Sequence, residues 1–264
     1  MSGLTVSDLK ASVGSTSILD GFGIDVPFGQ IHAIMGPNGS GKSTLCHVLT
    51  GHPAYEVSGS ASLDGIELLD KPIDERSRIG LLHGFQYPVE IPGIRLDDLV
   101  REAAFERGVD DAEFEARLAA AAELFDMTRF LDRSVNDDLS GGEKKRSEIF
   151  QMAVLGPRIV LLDEIDSGLD IDAVKQVAEA VEAMRSPEVG VLMITHYSRI
   201  LKYLDVDRVH VMIKGRIVES GGPELADELE GGGYDAIRAR LGIETESKAP
   251  QKRPADFFTD TPFD

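Results

Sequence analysis

Sulfur and cationic charge are what this sequence has least of. One cysteine, Cys46, stands among 264 residues. That excludes an internal disulfide framework and any metal site built from several thiolates of this chain. A reducing, cytoplasmic setting is the matching expectation. No apolar run approaches the roughly 18 residues of a membrane-spanning helix, so direct membrane insertion is not expected. The opening stretch MSGLTVSDLK lacks the basic and apolar segments of a secretory leader. Lys and Arg total 27 against 46 Asp and Glu, a formal charge of −19. Such a balance excludes the basic surface needed to hold nucleic acid or an anionic bilayer. Internal repeats of solenoid length are also missing.

What is present is a globular composition, 42% hydrophobic and 28% charged. Short β-like runs at Leu4–Val6 and Ile24–Val26 predict an N-terminal antiparallel β-layer. Ile31–Met35 predicts a buried strand ending at a Gly-rich turn, and the pattern becomes helical from Lys42 to Leu49. Amphipathic helices are expected over Arg95–Arg107 and Asp111–Phe125, the second with Phe114, Leu118, Ala121, Ala122 and Phe125 on one face. Between Asp97 and Asp138 there are thirteen acidic and five basic residues, a local net of −8. This reads as a solvated helical face rather than a docking surface. Strands return at Ile159–Leu162, Val191–Ile194 and Val209–Ile213, alternating with helices such as Ala173–Arg185. That rhythm predicts an α/β fold with a largely parallel sheet. The acidic tail, 244–264, reads as disordered despite Phe257, Phe258 and Phe263.

Three motifs carry chemistry. Gly36-Pro37-Asn38-Gly39-Ser40-Gly41-Lys42-Ser43 matches G-x-x-x-x-G-K-[ST] between a strand and a helix, with Thr44 following. Glycines let the backbone curl so that N–H groups point inward, and the helix adds its positive end. Lys42 should reach the β- and γ-phosphates and Ser43 should ligate Mg²⁺. Ile159–Leu162 then delivers Asp163 and Glu164 to the end of a buried strand, where ligands of α/β sheets bind. Asp163 would hold Mg²⁺ through water and Glu164 would orient or deprotonate the attacking water. In Leu139-Ser-Gly-Gly-Glu143, Ser140 can cap a helix while Gly141 and Gly142 leave bare N–H groups open to an anion.

With Gln86, Ser167-Gly-Leu-Asp170 and His196 falling in order around these, the chain resembles an ABC-type ATPase domain from Leu4 to about Leu241. The resemblance implies a P-loop core over 1–243 with an inserted helical subdomain near 88–157. It implies ATP and Mg²⁺ as ligands, with Gln86 sensing the metal and His196 contacting the γ-phosphate. It also implies a transient, ATP-dependent head-to-tail self-dimer, in which Ser140, Gly141 and Gly142 of one protomer complete the site of the other and Asp170 crosses the interface. The strings GFQYPVEIPG (Gly84–Gly93), SGGEKKR (Ser140–Arg146), DEIDSGLDIDA (from Asp163) and THYSRIL (Thr195–Leu201) narrow the likeness further. They resemble the SufC-type ATPase subunits of the iron–sulfur cluster assembly machinery, which implies SufB- and SufD-type scaffold proteins as partners, docking around Gln86–Gly93. The rival within the same chemistry is the ATPase subunit of a membrane transporter. A nucleotide switch without turnover is a further rival, opposed by Glu164.

Two expectations are particular to this chain. The aromatic residue that stacks on adenine in this family should lie near Ala11–Val13, and there is none. A Lys145–Glu164 ion pair is expected to hold the glutamate away from water before a dimer forms. His47 and the other histidines, His32, His52, His83 and His210, fit no metal-ligand spacing and read as structural.

Overall fold

The computed structural model describes residues 3–243, so the tail expectation lies outside the described residues. An antiparallel sheet in the order β2-β1-β4-β5 joins β1 (Gly3–Val13), β2 (Thr16–Pro27), β4 (Glu56–Leu63) and β5 (Ile66–Glu67). Leu4, Val6, Leu9 and Ala11 turn inward along β1. The beat of two breaks between Val6 and Leu9, because Ser7 and Asp8 are both exposed at a bulge where Asp8 takes φ 45°. That bulge is why the sequence shows only a three-residue run where an eleven-residue strand stands.

The second sheet runs β12-β11-β3-β10-β9-β6. Its parallel members are β3 (Ile31–Met35), β6 (Leu81–Gly84), β9 (Ile159–Asp163), β10 (Gly190–Ile194) and β11 (Arg208–Ile213). β12 (Arg216–Gly221) closes one edge antiparallel. Every residue of β3, β9 and β10 is buried, the mark of strands covered on both faces. Helices α1 (Lys42–Thr50), α2 (Ile73–Ile79), α6 (Ile171–Ala183) and α7 (Ser198–Leu201) lie between the strands. Leu45, Cys46, Val48 and Leu49 of α1 join Leu4, Leu9, Phe22 and Leu63 of the antiparallel sheet and Leu161 and Leu192 of the parallel one in a single core. Arg76 of α2 is buried against the far end of α1, donating to the Val48 and Leu49 carbonyls at 2.8 Å each. The Leu49 carbonyl has no partner within its own helix, and that of Val48 also accepts from the Gly51 amide at 3.1 Å.

A short pairing of β7 (Ile91–Arg95) with β8 (Ser134–Val135) frames helices α3 (Leu96–Glu106) and α4 (Asp111–Leu124), which meet α5 (Gly141–Leu155). The expected helices fall on α3 and α4 within a residue at each end. Asp110 caps α4 by accepting from the Glu113 amide at 2.9 Å, and Phe114, Leu118, Ala121 and Ala122 form its buried face. The acids of this region are mostly exposed, several paired with Arg95, Arg101 and Arg117.

One compact unit extends through Asp227 and a second begins at Glu228, inside α8 (Glu224–Leu241). In the second unit Gly233 leaves helical backbone at φ 67° and Arg238 pairs with Asp235 at 3.0 Å. Among the described residues no helix is long and apolar enough to cross a membrane.

Candidate nucleotide site

Register gathers the site. Ile194 of β10 pairs with both Ile34 of β3 and Asp163 of β9, so three strands end side by side. The loop after β3, the acids ending β9 and His196 after β10 therefore emerge at one sheet edge, around the adjacent strands β3 and β10, after which the chain re-enters the sheet at β6 on one side and β11 on the other.

The loop from Gly36 to Gly41 is tightly determined. A Cβ at Gly36 would collide with the Met212 carbonyl of β11. Gly41, the N-cap of α1, has φ 102°, and a Cβ there would lie 3.0 Å from Leu19 Cδ2 of β2. Pro37 accepts from the Ser40 amide at 3.2 Å, and the Ser40 carbonyl accepts from Gly215 at 2.9 Å. Buried Lys42 curls back on the loop, donating to the Gly36 and Pro37 carbonyls at 2.8 and 3.1 Å. Burial lowers its ammonium to about 8, against the pull of Glu164 and Asp163.

Opposite the loop, Ser43 Oγ donates to Asp163 Oδ1 at 3.2 Å. Burial raises the Asp163 carboxyl, the Ser43 bond opposes that, and the Glu164 charge adds to it. Glu164 takes φ 47°, a left-handed backbone rare outside glycine, and its amide donates to the Ile194 carbonyl at 2.9 Å. Its side chain is held at both oxygens. Gln86 Nε2 donates to Oε2 at 2.6 Å, and His196 Nε2 contacts Oε1. Asn38, Gly39, Gly41, Lys42, Ser43, Thr44, Glu164 and His196 line a cavity of about 220 Å³.

The expected Lys145–Glu164 pair does not form. The buried Lys145 ammonium donates to the Phe85 and Gln86 carbonyls and lies 3.9 Å from Glu148 Oε2. Two carbonyls and a nearer acid satisfy it, so nothing draws it to Glu164. Lys144 pairs with Glu90. What restrains Glu164 is Gln86 and His196.

Ser140, Gly141, Gly142 and Asp170 gather elsewhere. Ser140 caps α5 in a full capping box with Glu143. Asp170 caps α6 by accepting from Ala173 at 2.8 Å. A Cβ on Gly142 would lie 3.0 Å from that of Ala173, and one on Gly141 3.2 Å from Leu169 Cδ2, so the two helix starts are packed together. Neither Ser140 nor Asp170 lines the 220 Å³ cavity.

The sequence reading missed the groups that brace the site. Buried Asp166 accepts from Thr195 Oγ1 at 3.1 Å, and Arg199 donates to the Asp166 carbonyl at 2.9 Å, tying the Glu164 loop to the His196 loop. Glu148 accepts from the Phe85 amide at 3.3 Å and burial raises its carboxyl to about 7. The available signal was spacing, since Lys145 and Glu148 sit one turn apart on the face of α5 that Ile149 and Met152 bury. The five remaining histidines make ring contacts instead. His210 and His32 bond at 3.1 Å between β11 and β3, and His47 lies beside His52, Tyr55 and His83.

Residues 19–167 match the family model described as "ABC transporter". "Vegetative protein 296" of Bacillus subtilis is 47% identical over 92% of this chain and 96% of its own length. A "probable ATP-dependent transporter" of Synechocystis sp. is 46% identical over 89% of this chain and 95% of its own. Among solved structures, the ADP conformation of an ATP-binding cassette of an ABC transporter superposes with TM-score 0.75 at 25% identity, covering 93% of this chain and all of that one. With the loop before α1, Glu164 at a strand end and His196 lining one cavity, and with these matches over nearly its whole length, the chain belongs to the ABC transporter ATP-binding family and is an ABC-type ATPase.

Proposed function

We infer that the chain is the ATP-hydrolysing subunit that drives conformational change in a SufB- and SufD-type scaffold during iron–sulfur cluster assembly. The observation that carries this reading is the surface around Gln86. Phe85, Tyr87 and Val89 are 51, 76 and 66% exposed, yet their backbone is gripped through Lys145, Glu148 and Asn136, which donates to the Val89 carbonyl at 2.9 Å. Apolar side chains displayed on a held backbone suit a protein partner, and the same segment carries the Gln86 amide that holds Glu164. Cys46 is fully buried and its thiol is raised by that burial, so cluster ligands would have to come from the partners.

In this reading Lys42 and the loop amides hold the β- and γ-phosphates, with Gly36 to Thr44 forming the cradle. The Ser43 hydroxyl and Asp163 carboxylate, side by side, fit the hard-oxygen demand of Mg²⁺, with Gln86 completing the set. That ion would neutralise phosphate charge. Glu164 accepts a proton from the attacking water once Gln86 and His196 release it, and His196 then turns to the γ-phosphate. Ser140, Gly141 and Gly142, apart from the cavity within one chain, complete the site of a second copy, with Asp170 at the same interface. Two copies at −19 each repel. Tethering both to one scaffold raises their effective concentration and favours pairing.

The second reading, a transporter ATPase, is favoured by the names of relatives such as the "probable ABC transporter ATP-binding protein" of Streptococcus pyogenes. Purifying the tagged chain from its native host and identifying what accompanies it separates the two. Scaffold proteins that raise its ATPase rate support the assembly reading, and integral membrane subunits overturn it.

A further inference from the structure

One largely buried carboxylate has no part in the chemistry described so far, yet it touches the backbone that carries Gln86. Glu148 stands on α5 one turn beyond Lys145, with its side chain 13% exposed. Its Oε1 accepts from the Phe85 amide at 3.3 Å. Its Oε2 is buried and makes no hydrogen bond among the described residues, the Lys145 ammonium standing 3.9 Å away. Lys145 takes the other end of the same residue, donating to the Phe85 carbonyl and, at 2.5 Å, to the Gln86 carbonyl. Phe85 is thus held at both its N–H and its C=O by two charged side chains of one helix. The residue after it, Gln86, donates from Nε2 to Glu164 Oε2 at 2.6 Å.

A carboxyl withdrawn from water destabilises the fold unless its bonds offset the loss. Burial is the largest influence on Glu148, raising it to about 7 against the Lys145 charge and the Phe85 amide. At 3.9 Å the pair with Lys145 is long, and an apolar side chain of similar volume could fill the same place. What an apolar side chain cannot supply is an acceptor for the Phe85 amide, just past the end of β6. Ionised or protonated, a carboxyl offers an oxygen to that amide, so the hold is a hydrogen bond first and a charge second. We propose that Glu148 is a positioning residue for hydrolysis: through the Phe85 amide it fixes the segment that presents Gln86, and so sets how firmly Glu164 is restrained in the single chain. This rests on reading Glu164 as the group that takes the proton from water and Gln86 as its restraint.

The test compares the full chain, without partners, with Glu148→Ala, which removes the acceptor, and Glu148→Gln, which keeps an uncharged one. Steady-state kcat and KM for ATP with Mg²⁺ are measured, and thermal melts report folding. Glu148→Ala should raise kcat about three- to tenfold with KM within about twofold of the parent, the range one hydrogen bond of ordinary net strength allows. Glu148→Gln should return kcat to the parent value. In a Gln86→Ala background, whatever its own rate, Glu148→Ala should add nothing. An unchanged or lowered kcat in folded Glu148→Ala, a Glu148→Gln chain as fast as Glu148→Ala, or the same gain with and without Gln86 overturns the proposal. Should Glu148→Ala not fold, Glu148→Met keeps the volume, lacks the acceptor and is read by the same criteria. The underlying reading fails separately: Glu164→Gln hydrolysing ATP at the parent rate would overturn the role of Glu164 itself.

Discussion

Two clusters of motif residues, both at helix starts, differ in how they spend their hydrogen bonds. Around α1 the side chains are wholly or partly buried and bonded across the sheet edge: Lys42 to the loop, Ser43 to Asp163, Gln86 and His196 to Glu164. Around α5 and α6, Ser140 and Asp170 are exposed and bond only within their own first turns. The first cluster is finished by long-range contacts and is a site in one chain. The second is finished locally, with Gly141 and Gly142 close against Leu169 and Ala173, and takes no part in the cavity of its own chain. Preorganisation and availability are thus divided between two regions of one fold.

The comparison can be broken most severely at the first cluster. Lys42→Ala should abolish nucleotide binding, since Lys42 is the loop's sole basic residue; calorimetry showing near-native ATP affinity would refute the assignment. Glu164→Gln should retain ATP, trap the dimer and slow hydrolysis by about 10²–10⁴-fold, the usual worth of a general base; single-turnover assays at the parent rate would contradict it. The division itself is sharpened by mixing. Lys42→Ala and Gly142→Asp chains should each be inactive, yet a mixture should regain ATPase activity, because one composite site of the mixed pair keeps an intact Gly36–Ser43 loop and an intact Ser140–Gly142 segment. A mixture as inactive as its components would mean the clusters do not meet across two chains.

The smallest effect lies away from both clusters. His32 and His210 are each lowered to about 4, chiefly by burial, from an ordinary 6.5. Gln30 Oε1 can only accept, so His32 Nε2 carries its proton, its Nδ1 accepts from His210 Nε2, and His210 Nδ1 accepts from Ser220. The unfolded histidines take up protons before the folded ones. Their contribution to stability is therefore intact above pH 6.5, falls as pH drops from 6.5 toward 4, and is gone below that, with a slope of up to about 1.4 kcal/mol per pH unit for each histidine. Thermal melts should show a shallower acid slope for His210→Gln than for the parent.

Most of the site was legible in the sequence because its parts are local. Gly36–Ser43 and Asp163-Glu164 each lie within one loop or strand end, and uninterrupted apolar runs mark β3, β9 and β10. What was not legible depends on long-range placement. The full length of β1 is hidden by its bulge at Asp8, and β4 is hidden because its first five residues are exposed. The partner of Lys145 was misjudged because nearness in charge pattern says nothing of backbone carbonyls, which here outcompete a carboxylate.

That last contact has a mechanical consequence. Lys145 stands five residues along α5 from Ser140, about 7.5 Å at helical rise. Along that span of α5 the capped start at Ser140 and the ammonium holding the Phe85 and Gln86 carbonyls belong to one helix. The Gln86 amide is fixed to that same backbone and to Glu164. α5 is therefore linked to the carboxylate through two contacts, Lys145 to the Gln86 backbone and Gln86 to Glu164. A load that shifted α5 would be felt at the restraint on Glu164 rather than at the cavity wall.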